Sequence, residues 1–270
     1  MLGNLQNKYQ YSIILLKELV RTDFKLRYQG SALGYVWSVL KPLFLFIILY
    51  FVFVVFLRVG EGMPHWPVGL LIGIVLWTFF SEITNMGISS IVGRGDLIRK
   101  INFPKYIIIL ASSISALINL CINLAVIGVF LLINGVTITW SALLAPVFII
   151  EIFLFGLGLA FLLSAFFVKY RDVNFIWEII MQGLFYASVV IYPLSMILET
   201  HQKIAKILLM NPVAQAIQDV RHLLISPQYP TLFSLEGILT GLIPLAITVI
   251  TLIVGAWYFK KQSPSFAENV

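Results

Sequence analysis

Long apolar runs, separated by short polar and basic stretches, dominate this chain of 270 residues. A helix needs about 20 apolar residues to cross the hydrocarbon of a bilayer. Six runs are interpreted as spans: residues 43–57 (extended backward to 35), 68–88, 106–133, 143–168, 175–197 and 238–259. The pattern therefore predicts an all-α polytopic membrane protein with six transmembrane helices.

The segment before the first span alternates apolar and charged residues with helical periodicity. Such a basic amphipathic helix suits the membrane interface rather than the membrane interior. Asp23 falls inside the apolar arc, and Arg27, one turn further on, is its natural partner. The apolar arc holds Tyr9, Ile13, Leu16, Leu19, Val20, Phe24 and Leu26, and the opposite arc holds Lys17, Glu18, Arg21, Thr22 and Lys25.

A flexible junction joins this helix to the first span. Gly30 and Gly34 loosen the backbone, and Pro42 lies where a helix would start or kink. We therefore divide the chain into two parts. Residues 1–34 form a cytoplasmic amphipathic interface helix and hinge, and residues 35–270 form a six-span transmembrane domain.

Composition and charge support the membrane assignment and give it an orientation. The chain is 60% hydrophobic and 11% charged, whereas a soluble domain is about 25% charged. Of its 18 lysines and arginines, fourteen lie in the N-terminal segment, the second and fourth interspan loops and the C-terminal tail. Cytoplasmic loops carry such an excess, so both termini are expected in the cytoplasm.

Four stretches carry a resemblance to a known family, in the same order and spacing. They are DFKLRYQGSALGYVWSVLKPL, DLIRKINFPKYIIIL, VKYRDVNFIWEIIMQGLFYASVVIYPLSMI and NPVAQAIQDVRHLL. Together they resemble the permease subunits of type-2 ABC exporters of lipid-linked envelope polysaccharides. That family handles O-antigen, capsular polysaccharide and wall teichoic acid.

The resemblance implies a homodimer in the bacterial cytoplasmic membrane, joined to two ATP-binding subunits that hold ATP and Mg²⁺. It also implies short re-entrant helices that form an external gate within residues 198–237. The chain has no G-x-x-x-x-G-K-[ST] phosphate-binding loop. We therefore expect no catalytic residue, metal or cofactor in it. The expected partners are a lipid-linked glycopolymer and membrane lipids, and not nucleic acid.

The loop after the second span is the candidate contact with the ATPase. Asp96 would cap a short helix, and Pro104 would start the next span. Leu97 and Ile98 would be its apolar anchors in a groove of the partner. The alternative is a basic loop that only fixes topology. The coupling set is Asp96, Leu97, Ile98, Arg99 and Lys100, and the interface helix and hinge contribute Arg21, Asp23, Lys25, Arg27 and Gly34.

Aromatic and acidic residues inside the spans are the candidates for a substrate conduit, which the resemblance places at the first and fifth spans. Aromatic faces stack on sugar rings, and tyrosine adds a hydroxyl group. Glu82 and Glu151 are intramembrane carboxyls and functional candidates by default, although a neutral structural role is equally open. The conduit set is Tyr50, Phe53, Tyr186, Tyr192 and Glu82.

Arg171 and Asp172 precede the fifth span as a cytoplasmic cap. The carboxylate of Asp172 would bind the N-terminus of that helix. The guanidinium of Arg171 would pair with Asp23 or Glu18. Gating is a secondary interpretation of this pair.

Two other functional classes remain open. An ion-coupled carrier would use Glu82 or Glu151. An integral-membrane enzyme of lipid-linked glycan synthesis would need clustered acidic and basic groups, whereas the cytoplasmic acidic residues here are scattered and no D-x-D pair occurs there. Vanadate-sensitive ATPase activity that requires a partner subunit would separate an exporter from both.

The basic character of the N-terminal helix predicts that it lies flat on the cytoplasmic surface. A Ser12→Cys variant should therefore resist an impermeant thiol reagent in intact cells and react after permeabilisation. Labelling from outside intact cells would contradict this placement.

Overall fold

The structure is a computed structural model that describes residues 2–31 and 33–269, and every regular element in that part is helical. The all-α prediction is thus confirmed. Side chains at 2–9, 24 and 26–28, which include Arg27, lie outside the description. The helices are α1 Leu2–Tyr28, α2 Trp37–Leu49, α3 Trp66–Ser90, α4 Gly95–Lys100, α5 Tyr106–Ile133, α6 Ala145–Lys169, α7 Val173–Ala187, α8 Leu194–Thr200, α9 Gln202–Leu209, α10 Pro212–Leu224, α11 Leu232–Gly241, α12 Ile243–Gln262 and α13 Phe266–Asn269.

Helices long and apolar enough to cross a bilayer number five within the described residues. The chain is therefore a multi-pass membrane protein. The first crossing continues from α2 into a π-helical segment, Tyr50–Phe56. The crossing stretches are Gly34–Phe56, Trp66–Ser90, Tyr106–Ile133, Trp140–Lys169 and Ile243–Asn269.

The run predicted as the fifth span, residues 175–197, is divided in the structure. Its helix α7 has 15 residues, or about 22 Å at about 1.5 Å per residue, which is short of the hydrocarbon thickness of about 30 Å. Val189 then adopts a left-handed φ of 55°, and Pro193 precedes α8. Proline supplies no backbone N–H and disfavours helix in the residue before it, so the helix cannot continue there.

Helix α3 forms the centre of the bundle, packed between α5 and α6, and α6 packs in turn against α12. Small residues permit close approach at both crossings of α6. A Cβ atom added to Gly87 would lie 2.5 Å from Cβ of Ala160. One added to Gly158 would lie 2.7 Å from Cα of Leu252. In an apolar 18-residue window of the first crossing stretch, Gly34–Phe56, by contrast, only 11% of the residues are buried.

A single fully buried guanidinium fixes α10 to the bundle. Arg221 donates from Nε to the carbonyl of Gly69 at 2.9 Å, and from its terminal nitrogens to Val189 and Val190, both at 2.8 Å. It also lies 5.0 Å over the Trp66 ring. Burial lowers the pKa of Arg221 to about 10, so it stays charged at neutral pH. The sequence predicts Arg221 on the outer side, within the stretch of short re-entrant helices at 198–237, and does not reveal these partners.

Removing this guanidinium should destabilise the protein. An Arg221→Met variant leaves the three carbonyls without their donor, at about 1–3 kcal/mol for each buried group. We expect a clearly lower unfolding midpoint in detergent, measured by thermal scanning. Arg58→Met is the matched control, because that side chain is 74% exposed. Equal midpoints for the two variants would contradict the anchoring role of Arg221.

Candidate functional site

Helix α1 packs along α5, and its inward face agrees in part with the one predicted, since Leu16, Leu19 and Val20 are half-buried. Leu15 and Leu19 pack against the core. Ile13 and Ile14 are 52% and 65% exposed, so Ile13 does not share the buried face. The helix therefore turns one apolar strip toward the protein and leaves a second one accessible to lipid.

Asp23 also lies on the inward face of α1, which explains a carboxylate among apolar residues. A terminal nitrogen of Arg94 donates to its Oδ1 atom, and both side chains are largely shielded, at 15% and 18% exposed. Arg94 also donates to the carbonyl of Ile108 in α5 at 3.5 Å. One guanidinium thus joins the interface helix, the segment before α4 and the start of α5.

The structure gives these charges partners that the sequence did not predict. Asp23 pairs with Arg94, while the side chain of its predicted partner Arg27 is outside the described residues. Arg171 donates to the carbonyl of Asn269 at 3.3 Å, and among the described contacts it pairs with neither Asp23 nor Glu18. Asp172 is the residue before α7, and its side chain makes no capping hydrogen bond.

Helix α4 is present between the second and third spans, with two differences from the prediction. It begins at Gly95, so Asp96 lies in its first turn without capping it, where a carboxylate still favours the positive end of the helix dipole. Ile98 is only 6% exposed and belongs to the core. The most exposed residues of α4 are Asp96, Arg99 and Lys100, with Ile101 just beyond its end, while the predicted anchor Leu97 is half-buried and packs against the core.

The C-terminal segment supports α4 from the side. Helix α13 contacts α4, and its first residue, Phe266, is 1% exposed. Lys105, which precedes α5, donates to the carbonyl of Ser263 and lies 5.7 Å from the centre of the Phe266 ring. Helix α4 is therefore held by α13 and by the burial of Ile98 in the core, and Lys105 fixes the C-terminal segment beside it. The span after it begins at Tyr106 rather than at Pro104.

The hinge before α2 contains two left-handed glycines, Gly30 with φ 78° and Gly34 with φ 51°. Pro42 lies inside α2 rather than at its start. Because proline has no N–H, the carbonyl of Ser38 one turn earlier has no donor within the helix. Asn123 of α5 supplies one from Nδ2 at 3.2 Å. The break in α2 is thereby bonded to the third span.

A cavity of about 410 Å³ lies beside this break, between α2, α3 and α5. Asn119 donates from Nδ2 to both carboxylate oxygens of Glu82, at 2.8 and 2.9 Å. Its own Oδ1 atom is buried without a hydrogen-bond partner. Asn123 extends the network to the carbonyl of Asn119 at 2.9 Å. The cavity is lined by Ser31, Trp37, Lys41, Thr78, Glu82 and Asn119.

Sequence reasoning found Glu82 in this cavity and missed its amide partners. A readable signal exists, because Asn119 and Asn123 are one helical turn apart within an apolar run. Polar groups at that spacing share one helix face and rarely face lipid. The sequence does not assign Trp37 and Lys41 to the cavity, since the opposite wall of the cavity is formed by other spans.

The other conduit candidates form two separate groups. The Tyr50 ring is 5.8 Å from Phe46, and Phe53 is half-buried against the core. Tyr186 is 60% exposed, and the hydroxyl of Tyr192 donates to the backbone carbonyl of Tyr186 at 2.6 Å. Within the described residues, no ring contact or hydrogen bond joins the first group to the second.

Glu151 lies on α6, a helix against which α10 packs. It is 4% exposed, and it interacts electrostatically with Asp219 of α10, which is 3% exposed. Gln215 donates to Asp219 at 2.7 Å. Burial raises the pKa of Asp219 to about 7, and the Gln215 bond opposes that rise.

Comparison with known proteins agrees with this architecture. The profile of a family described as "ABC-2 type transporter" matches residues 14–225. An "O-antigen export system permease protein RfbA" of Myxococcus xanthus is 28% identical over 262 residues, covering 97% of each chain. A protein of the same name from Klebsiella pneumoniae is 28% identical over 263 residues, covering 96% of this chain and 95% of that one.

Proposed function

We propose that this chain, which belongs to the ABC-2 type transporter family, is the permease subunit of an ATP-driven exporter of a lipid-linked glycopolymer. The observation that carries the proposal is the similarity, over 97% of both chains, to a permease named for O-antigen export. O-antigen is therefore the first candidate cargo. Teichoic acid and capsular polysaccharide are the chemically related alternatives.

The assembly that we propose is a homodimer in the cytoplasmic membrane with two ATP-binding subunits on the side of α4, which contacts α13 and is joined to α1 through the Arg94–Asp23 pair. Support comes from the two open faces of the protomer. The α2 stretch is 11% buried, and α7 leaves Phe175 and Ile179 65% and 70% exposed. We place the conduit between the two copies, along these faces. Tyr50, Phe53, Tyr186 and Tyr192 would contact sugar rings there, with Glu82 accepting from hydroxyl groups.

Coupling would begin at α4. Its exposed Asp96, Arg99 and Lys100 are suited to orient a partner, while apolar contacts supply most of the energy in such interfaces. Because Ile98 is buried and Leu97 is half-buried against the core of this chain, the most accessible apolar anchor is Ile101, at 39% exposed. A displacement of α4 would reach the interface helix through Arg94 and Asp23, which are paired.

The export function can be tested by depletion in the source bacterium. Loss of the protein should cause one undecaprenyl-linked polymer to accumulate inside the cells, and re-expression should clear it. Extraction of lipid-linked glycans before and after depletion measures the effect. Unchanged levels of every lipid-linked glycan would contradict export of such a cargo.

The coupling role can be tested at Ile101. An Ile101→Asp variant should lose about tenfold or more of the co-purifying ATPase, since a buried interface anchor is worth about 2 kcal/mol or more. Lys100→Ala should lose less, because it changes only a rim charge. Ile138→Asp is the matched control: Ile138 is 58% exposed and lies in the loop at the other end of α5. Normal co-purification with Ile101→Asp would make α4 a topology-setting segment only.

A further inference from the structure

We infer that the cavity between α2, α3 and α5 binds the head of the cargo, a phosphate group and the sugar attached to it, while the hydrocarbon chain follows the open face of α2. This inference rests on the proposed function, and it assigns that function a specific recognition site. The volume of the cavity, about 410 Å³, falls in the range of about 300–1,000 Å³ typical of small-molecule pockets.

The anion-binding part of the cavity is Lys41. Its side chain lines the cavity and belongs to an exposed residue at the start of an apolar span. An ammonium group offers three donors and a compact positive charge, which suits a phosphate oxygen. Ser31, from the hinge, adds a hydroxyl donor to the same wall. The ammonium group of Lys41 and the hydroxyl group of Ser31 therefore favour a ligand with an anionic head.

The sugar-binding part is formed by acceptors and an aromatic ring. Asn119 is 4% exposed, and its Oδ1 atom has no hydrogen-bond partner. A buried acceptor without a donor is costly, and a sugar hydroxyl would supply one. Thr78 lines the same wall with a hydroxyl group, and Trp37 adds an aromatic face on which a sugar ring can stack. A bare phosphate would leave the Asn119 acceptor unpaired.

The hydrocarbon part is the outer stripe of the first span. Starting from Lys41, exposed apolar residues recur three or four positions apart, the spacing of one helix face. Their exposed fractions run from 51% to 60%. A positive charge at the end of an apolar stripe matches an amphiphile with an anionic head. The stripe consists of Phe44, Ile48, Phe51 and Val55.

The test uses the full chain with its ATPase partner in nanodiscs. A Thr78→Cys reporter is introduced in a Cys121→Ser background, and the rate of its reaction with a maleimide is measured. The probes are farnesyl diphosphate bearing one glucose, farnesyl diphosphate alone, and phosphatidylglycerol. We expect the glucose-bearing probe to slow labelling about tenfold, equivalent to about 1.4 kcal/mol. The sugar-free diphosphate and phosphatidylglycerol, which have anionic heads without a sugar, should slow labelling less.

Two variants assign the effect to its parts. In the reporter background, Lys41→Gln should abolish protection by both diphosphates. Asn119→Ser should remove only the additional protection that glucose gives. Lys169→Gln is the matched control, because Lys169 is an exposed lysine at the end of α6, away from the cavity, and protection should be unchanged.

Several results would overturn the inference. Equal protection by both diphosphates would remove the sugar from the site, and equal protection by phosphatidylglycerol would make it an ordinary lipid site. Protection by no probe would leave the cavity without a ligand role. None of these results alters the accumulation of polymer in depleted cells, so failure of the site and failure of the proposed function are distinguishable.

Discussion

Carbonyl groups without a helical donor are costly where water is excluded, and this fold depends on side chains that supply the missing donors from other helices. Pro42 has no N–H to donate to the carbonyl of Ser38, and Asn123 donates to that carbonyl instead. The break after α7 leaves the carbonyls of Val189 and Val190 without helical donors, and Arg221 donates to both. Each interruption of a span is therefore also a tie between spans.

These ties position the candidate site. The amide that satisfies the α2 break sits one helical turn from Asn119, whose own amide holds the Glu82 carboxylate. The two asparagines share one face of α5 and bridge α2 to α3. Among the described residues, Asn119 Oδ1 is a buried acceptor of this network without a hydrogen-bond partner.

Periodicity and length were sufficient to predict the class of fold and most of its spans, because burial in lipid imposes both. They were insufficient where a local break competes with apolar composition, as at Val189–Pro193, which divides the predicted fifth span. Long-range polar pairs were equally hidden. Arg94, a partner of Asp23, lies 71 positions away, and a wheel drawn for one helix cannot reveal it. For the same reason the sequence does not reveal the carbonyl partners of Arg221 or the burial of Ile98.

The hinge connects the cavity with α4, the proposed contact with the ATPase. Ser31 follows α1 directly and lines the cavity, while Asp23 on α1 is paired with Arg94 beside α4. The glycines at 30 and 34 adopt left-handed φ angles and meet no neighbouring atom that a side chain would touch, so they can redirect the chain without repacking the core. A shift of α4 would thus move one wall of the cavity while Asn123 keeps the opposite wall fixed to α5. By linkage, a cargo head that favours one position of Ser31 must bias α4 by the same free energy.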